Sequence, residues 1–431
     1  MNTHSATPTT GTDSMSHSSA LFNEPPHKRG LAALRQVLTC ITLGFCIGGS
    51  ALAQSGSFTT IDEDSTGWVM DLATDANGRI IAVGQKQLNG VPTPAISVSP
   101  DGGVTWTDHF YDHGAEGYTV VATGRRIIPP ASPDEPETHE DSIVVAGNMA
   151  DRWMVRRSTD GGVTWVVVDE YRDPLSSWQP EIHAAAVDSE GNTYIAATSR
   201  ITVATRKGTT IHWAWLVRKI GRDGTKTNIQ FPDAGGAVSS AYGITCVGTT
   251  VYVAGNFGNR AQVRRSDNGG ASWTIVDNYR YDESRTSYAV GIASDHNGTI
   301  YVAGAASHAP KKGNTPVTVS PLFRKGTGAV GSFTTDTRLI TQSGWSDAYS
   351  VAVDSGGNVH LTGQLRVITD GVQTWHWYTK RLDAVSKTWA ATDGQQGGPR
   401  RLAADSFGNT YWAGFSELND VFSGWLIRRF Q

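Results

Sequence analysis

Val155-Arg156-Arg157-Ser158-Thr159-Asp160-Gly161-Gly162-Val163-Thr164-Trp165 decides how the rest of the chain is read. It recurs as Val98-Ser99-Pro100-Asp101-Gly102-Gly103-Val104-Thr105-Trp106 and again as Val263-Arg264-Arg265-Ser266-Asp267-Asn268-Gly269-Gly270-Ala271-Ser272-Trp273. Each copy reads as strand, tight turn, strand. Asp or Asn followed by Gly-Gly supplies the positive-φ positions of a hairpin turn, and the Asp and Ser side chains can bond the turn's own amides. Thr/Ser-Trp then restarts a strand with a ring large enough to bury.

A second unit, roughly Ala-x-Asp-x-x-Gly-Asn-x-Tyr-x-Ala-Gly, recurs around it. Its closing residues are Gly84, Gly147, Ala197, Gly255, Gly304, Gly363 and Gly414, between 49 and 63 residues apart. That makes seven units of propeller-blade length. Within a unit the order is constant. An alternating strand ends in Asp, a Gly-Asn turn follows, and then comes a second strand. After a variable loop, a third strand carries a basic pair such as Arg156-Arg157, Arg218-Lys219 or Arg324-Lys325. A fourth strand carries Trp106, Trp165, Trp273, Phe333 or Trp389. Four antiparallel strands repeated radially form a β-propeller. The last unit stops after its third strand, Trp425 to Phe430. Gly56-Ser57-Phe58-Thr59-Thr60 matches Gly331-Ser332-Phe333-Thr334-Thr335, a fourth strand. The expected fold is therefore all-β, a seven-bladed propeller over 54–431 whose last blade is closed by the N-terminal strand, which removes an exposed sheet edge.

The pattern Ser-x-Asp-x-Gly-x-Thr-Trp resembles the Asp-box, or BNR repeat, of sialidase-like β-propellers. Two copies fit in full; the third places Asn268 at the acidic position and Ser272 for Thr. The resemblance implies structural roles, on turns away from the ligand face, for Ser99, Asp101, Gly103, Trp106, Ser158, Asp160, Gly162, Trp165, Ser266, Gly270 and Trp273. It extends to fold only. Sialidases carry an Arg-Ile-Pro motif before the first box, a three-Arg clamp and a Tyr/Glu pair. Here Arg126-Ile127-Ile128-Pro129 is one residue too long and follows the first box, so no catalytic residue is carried over.

Residues 1–53 read as an export signal with a polar N-terminal extension. His27-Lys28-Arg29 and Arg35 precede an apolar run, and Ala51-Leu52-Ala53 before Gln54 is an A-x-A cleavage site. Met15 is an alternative start. The mature protein is expected to be exported, to the periplasm or the extracellular space, and to keep no membrane span. Cys40 and Cys46 leave with the signal, so Cys246 remains alone in a strand pattern, read as a small buried hydrophobe. A net charge of -4 leaves no basic excess for phosphates and argues against a nucleic-acid partner.

Function is expected on the face opposite the Asp-box turns, where variable loops meet the channel. Trp68, Tyr118, His183, Tyr242, Tyr288, Tyr349 and Arg401 stand at or just before the inner strands and are the candidate ligand-binding residues. Aromatic faces among carboxylates and Arg suit sugars; a repeated Tyr or Trp also suits blade-to-blade packing. Arg200, Arg206, Lys207, Lys311, Lys312, Arg366 and Asp370 lie on the long second-to-third loops, as a cationic patch or as solvated loop. Asp108 to His113, Asp169 to Asp173 and Asp277 to Glu283 read as inter-blade loops. Three constellations carry possible chemistry. His109 and His113 with Asp112 and Glu116 have metal-ligand types. Asp169, Glu170, Asp173 and Glu181 offer carboxylates for glycoside cleavage. His183 and Tyr242 beside Arg200 offer base, acid and charge neutraliser for a polysaccharide lyase. The expected function is binding of a glycan or other extracellular polymer at the channel mouth, by a monomer without cofactor or metal. A glycoside hydrolase or polysaccharide lyase on the same face, and a scaffold for a partner protein, are the alternatives.

Overall fold

The computed structural model describes residues 57–111, 117–149, 152–174, 179–205, 208–232, 239–308, 318–340, 344–394, 396–418 and 421–430. Residues 1–56, where the export signal is expected, and residues 112–116, 206–207 and 309–317 lie outside them, and with them Asp112, His113, Glu116, Arg206, Lys207, Lys311 and Lys312.

Among the described residues the strands form seven four-stranded antiparallel sheets. Six are built from consecutive strands. The seventh takes three C-terminal strands and, as its fourth, Phe58–Asp64. Phe58 pairs with Phe430 and Asp64 with Trp425, which closes the last blade from the other end of the chain. The innermost strands are Trp68–Thr74, Tyr118–Ile128, Glu181–Val187, Ser239–Val247, Ser287–Ser294, Ser350–Val353 and Gly397–Ala404. Each contacts the innermost strands before and after it, and the seventh contacts the first. The sheets therefore close into a propeller of seven blades.

The core is divided accordingly. One apolar cluster lies between each pair of neighbouring blades, seven in all. Three wholly buried tryptophans on third strands tie these layers together. Trp153 Nε1 donates to Pro180 O at 2.8 Å, Trp215 Nε1 to Asn256 O at 2.6 Å and Trp377 Nε1 to Phe415 O at 3.0 Å, each in the following blade. A buried indole is tolerated because its N–H has found an acceptor. The Trp and Phe expected within fourth strands stand mostly one residue before them, at the turn: Trp106, Trp165 and Trp273 precede strands that begin at Thr107, Val166 and Thr274. The fifth blade's fourth strand shrinks to Thr334–Thr335.

The basic pairs join blades. Arg218 makes a two-point bond to Asp169 of the blade before, and Arg324 does the same to Asp277. The second members reach forward to turn carbonyls: Lys219 to Gly269 O (3.1 Å), Arg265 to Gly328 O (3.3 Å) and Arg429 to Gly102 O (3.4 Å).

In an antiparallel blade the first-to-second and third-to-fourth turns share one end, and the second-to-third hairpins occupy the other. At the turn end the polar groups are consumed locally. Asp160 Oδ1 accepts from Ser158 Oγ (2.7 Å) and Thr164 N (2.9 Å), and its Oδ2 from Thr164 Oγ1 (2.6 Å). Asp101 repeats this with Ser99 and Thr105. Asn268 reproduces it with Ser266 and Ser272, its Nδ2 now donating to Ser272 Oγ at 2.8 Å. Trp165 and Trp273 donate to Gly162 O and Gly270 O, whereas Trp106 reaches Ile61 O of the closing strand.

Most of the two stretches read as loops at 198–212 and 364–373 is strand. Thr193–Thr205 pairs with Gly208–Ile220, and Val359–Thr369 with Val372–Leu382, as long hairpins. Runs such as Thr-Thr-Ile and Arg-Val-Ile-Thr keep the period-2, β-branched composition of a strand past the blade edge. Asp169–Tyr171 and Asp277–Tyr279 likewise belong to fourth strands, because their carboxylates are needed to meet Arg218 and Arg324.

Candidate functional site

At one level near the start of every inner strand, pairing to the second strand slips by one residue. The slip falls at Met70, Thr119, His183, Tyr242, Val290 and Arg400. In the sixth blade, Asp347 N bonds Gln364 O and Tyr349 N bonds Thr362 O, while Ser350 already pairs with Thr362, so the extra residue is Tyr349. A bulge re-aims its side chain. On an inner strand the direction left over is the channel. Burial agrees: Met70, Thr119, Tyr242 and Tyr349 are partly exposed between buried neighbours on both sides.

The closing glycine of the repeat makes room for this bulge. A Cβ on Gly363 would overlap Asp347 O, one on Gly84 would overlap Trp68 O, and one on Gly304 would overlap Tyr288 O. Only a residue without a side chain lets the bulged strand cross its neighbour so closely.

Five of the seven sequence candidates meet here, with residues the sequence did not single out. His183 and Tyr242 lie with ring centroids 4.8 Å apart at 59°. His183 Nε2 shares a hydrogen bond with Thr198 Oγ1 at 2.8 Å. Burial, with the Arg401 charge adding, brings the imidazole down to about 3, so it is neutral at neutral pH. Arg401 lies across the ring from the seventh blade, its Nε 3.2 Å from Asp71 Oδ1 in the first and its Nη2 donating to His183 O in the third at 2.8 Å. Tyr349 Oη donates to Gln364 Oε1 at 2.8 Å. Burial raises the Tyr349 and Tyr288 phenols, and the Asp347 charge beside both raises them further. Asp347 itself is 2% exposed. Burial pushes its carboxyl up to about 6, against hydrogen bonds from Gln364 N, Tyr349 and Trp345.

Trp68 stands beside this group, opening the first inner strand with its ring 6.2 Å from Phe415 of the seventh blade. The Arg400 guanidinium lies 5.5 Å from the Trp68 ring. Tyr118 is elsewhere. It is wholly buried in the layer between the first and second blades, where Arg156 Nε donates to its hydroxyl at 2.6 Å, and burial pushes its phenol up to about 12. It sits one residue before the bulge, so its side chain turns into the blade layer while Thr119 takes the channel position.

The sequence constellations fare unevenly. Asp169, 2% exposed, belongs to Arg218, and Asp173 accepts from Ser199 Oγ and Gln230. Those carboxylates are occupied by the blade. Arg200 stacks on Trp213 at 4.1 Å along the long hairpin of the third blade. The cation beside His183 is Arg401 instead. His109 belongs to a fourth strand and meets Trp165 edge-on. Among the described residues no group of three His, Cys, Asp or Glu could hold a metal ion, and no helix is long and apolar enough to cross a membrane.

No known protein family and no curated protein matches the chain in sequence. Among solved structures it is similar to the GH74 xyloglucanase from Xanthomonas campestris, at 16% identity and a TM-score of 0.49 over 86% of this chain and 55% of that one. It is similar to the polysaccharide lyase Uly1 at 11% identity and 0.46, covering 89% and 91%. The propeller domain of the trilobed protease from Pyrococcus furiosus gives 10% identity and 0.45, covering 81% and 89%. Similarity at this level is one of fold: the chain shares a β-propeller path with these proteins.

Proposed function

We propose that the chain is an exported propeller of the Asp-box kind that binds a glycan or other extracellular polymer at the channel mouth. One observation carries this reading. Inner-strand bulges aim His183, Tyr242 and Tyr349 toward the ring's channel beside Tyr288 and Trp68, so aromatic faces and hydroxyls converge there. Sugar rings stack their C–H faces on such surfaces and hydrogen-bond at the edges. The export signal and the turn motif are consistent with it.

Cleavage by elimination is a second reading, motivated by the contact of His183 with Tyr242, although an imidazole brought down to about 3 is a weak base. A neutral imidazole can take a proton, and a phenol can return one. Hydrolysis by paired carboxylates finds less support, since Asp169 and Asp173 are committed to blade contacts.

A glycan-array screen of the purified full chain, followed by product analysis on each bound polymer, tests both. Binding is expected, with loss of roughly tenfold or more in affinity for Trp68→Ala, as one stacked aromatic contributes ~1.5 kcal/mol. Unsaturated chain ends among the products would establish the second reading. Bound polymer left intact removes it for that ligand. Affinity unaltered by both Trp68→Ala and Tyr242→Ala would remove the channel mouth as the site.

A further inference from the structure

Several buried cations of this protein are matched by carboxylates; Arg400, like Arg264, is not. Arg218 and Arg324 grip carboxylates, and Arg401 holds Asp71 and the His183 carbonyl. Arg400 has no such partner. Its Nε is buried and takes part in no hydrogen bond, and none of the ion pairs among the described residues includes it. What its guanidinium meets is the Trp68 ring, the Tyr349 phenol and the like charge of Arg401. Burial and Arg401 together lower it to about 10, which still leaves it charged at neutral pH. The neighbouring acids do not answer it. Asp71 is taken by Arg401 and by the Leu72 and Val121 amides. Asp347 accepts from Gln364 N.

A cation drawn out of water without a counter-charge is costly, and a ligand carboxylate beside it would supply that charge. Arg400 occupies a bulge position, so its side chain is among those aimed at the channel. The free Nε lies on the edge of the guanidinium that forms two-point bonds to planar carboxylates. A stacking ring stands beside it.

We infer that Arg400 is the receptor for the carboxylate of an acidic saccharide, a uronate unit whose ring packs against Trp68. This rests on the glycan reading above and adds to it the ligand's charge and the residue that reads it.

The test titrates the purified full chain with a panel of uronate oligomers: galacturonate, glucuronate-containing and mannuronate/guluronate chains. Each is paired with its carboxyl-reduced, neutral counterpart, and free galacturonate and glucuronate are added as small carboxylates. At least one acidic oligomer is expected to bind about 10- to 100-fold more tightly than its neutral partner, the range of a charge-assisted hydrogen bond. Arg400→Gln is expected to erase that ratio while leaving affinity for the neutral chain, and Arg400→Lys to restore part of it. The ligand-free Arg400→Gln protein is expected to melt no lower than the parent, because an unmatched buried charge has been removed. A markedly lower melting temperature would make Arg400 a structural residue and overturn the inference. Equal binding of acidic and neutral chains would overturn it too and leave the glycan reading standing. Arg400-dependent binding of the free sugar acids but of no oligomer would keep the anion site and overturn the polymer reading. Binding of nothing in the panel would remove both.

Discussion

The two ends of the ring use the same residue type in opposite ways. At the turn end, Asp160 accepts from Ser158, from the Thr164 amide and from the Thr164 hydroxyl, all within five residues, and these bonds hold its carboxyl well below the usual range. At the channel mouth, Asp347 is 2% exposed, and burial outweighs its hydrogen bonds and pushes it up to about 6. The first acid recurs around the ring with the same partners, as Asp101 and as the neutral Asn268. The second occurs once, as do His183 and Arg400. What is repeated and satisfied by its own neighbours holds the ring together. What is singular and buried at the channel, as Asp347 is, is where the fold has given up stability, as functional sites do.

Removing a group from the blade layers should cost most. Trp215→Ala takes away a fully buried indole and its bond to the Asn256 carbonyl, so chemical denaturation is expected to show a loss of about 3–5 kcal/mol. A loss near zero would mean the layers between blades do not carry the ring.

Asp347→Asn should act in the other direction. The folded pKa is raised above the unfolded value, so the group's contribution is fully present below pH ~3.9 and lost as pH rises through about 6. The parent is therefore expected to lose about 2 kcal/mol relative to the variant between pH 4 and 7, and stability curves at several pH values check it. A constant difference between the two proteins over that range would break the contrast between the two ends.

Asp160 should give the smallest effect and the opposite pH trend. Its folded pKa is depressed, so its contribution is present above pH ~3.9 and fades as pH falls toward the lower folded value. Asp160→Asn is expected to lower the melting temperature less than Asp160→Ala, because Asn268 already makes the equivalent bonds in the fourth blade. If the two substitutions were equally damaging, charge rather than hydrogen bonding would set the turn.

The architecture was legible because its signals are local and recur. Gly-Gly after Asp fixes a turn from within a few residues, and seven repetitions of the closing Gly or Ala mark seven blades. The closing strand was legible from the match of Gly-Ser-Phe-Thr-Thr at two places. The candidate site was legible only in part. His183, Tyr242 and Tyr349 fell on bulges, and Trp68, Tyr288 and Arg401 close by, whereas Tyr118 turned into a blade layer. A one-residue slip decides which of two neighbours faces the channel, and composition does not record it. The signal was present in the closing glycine, which marks the bulge opposite it. Arg400 and Asp347 were missed because their burial and their neighbours depend on packing across blades, which cannot be read along one strand. The carboxylates of Asp169 and Asp277 were misread for the same reason: their partners, Arg218 and Arg324, lie a blade away.

The strand Phe58–Asp64 has a consequence for how the molecule is made. It leaves the ribosome ahead of the other described strands, and its hydrogen-bonding partner, Val421–Phe430, follows all of them. Until then six blades can form while one edge of the arc stays open, and the final docking joins residues at maximal sequence separation, which is slow. The interval between finishing synthesis and sealing that seam is when the chain is most exposed to pairing with a second copy of itself.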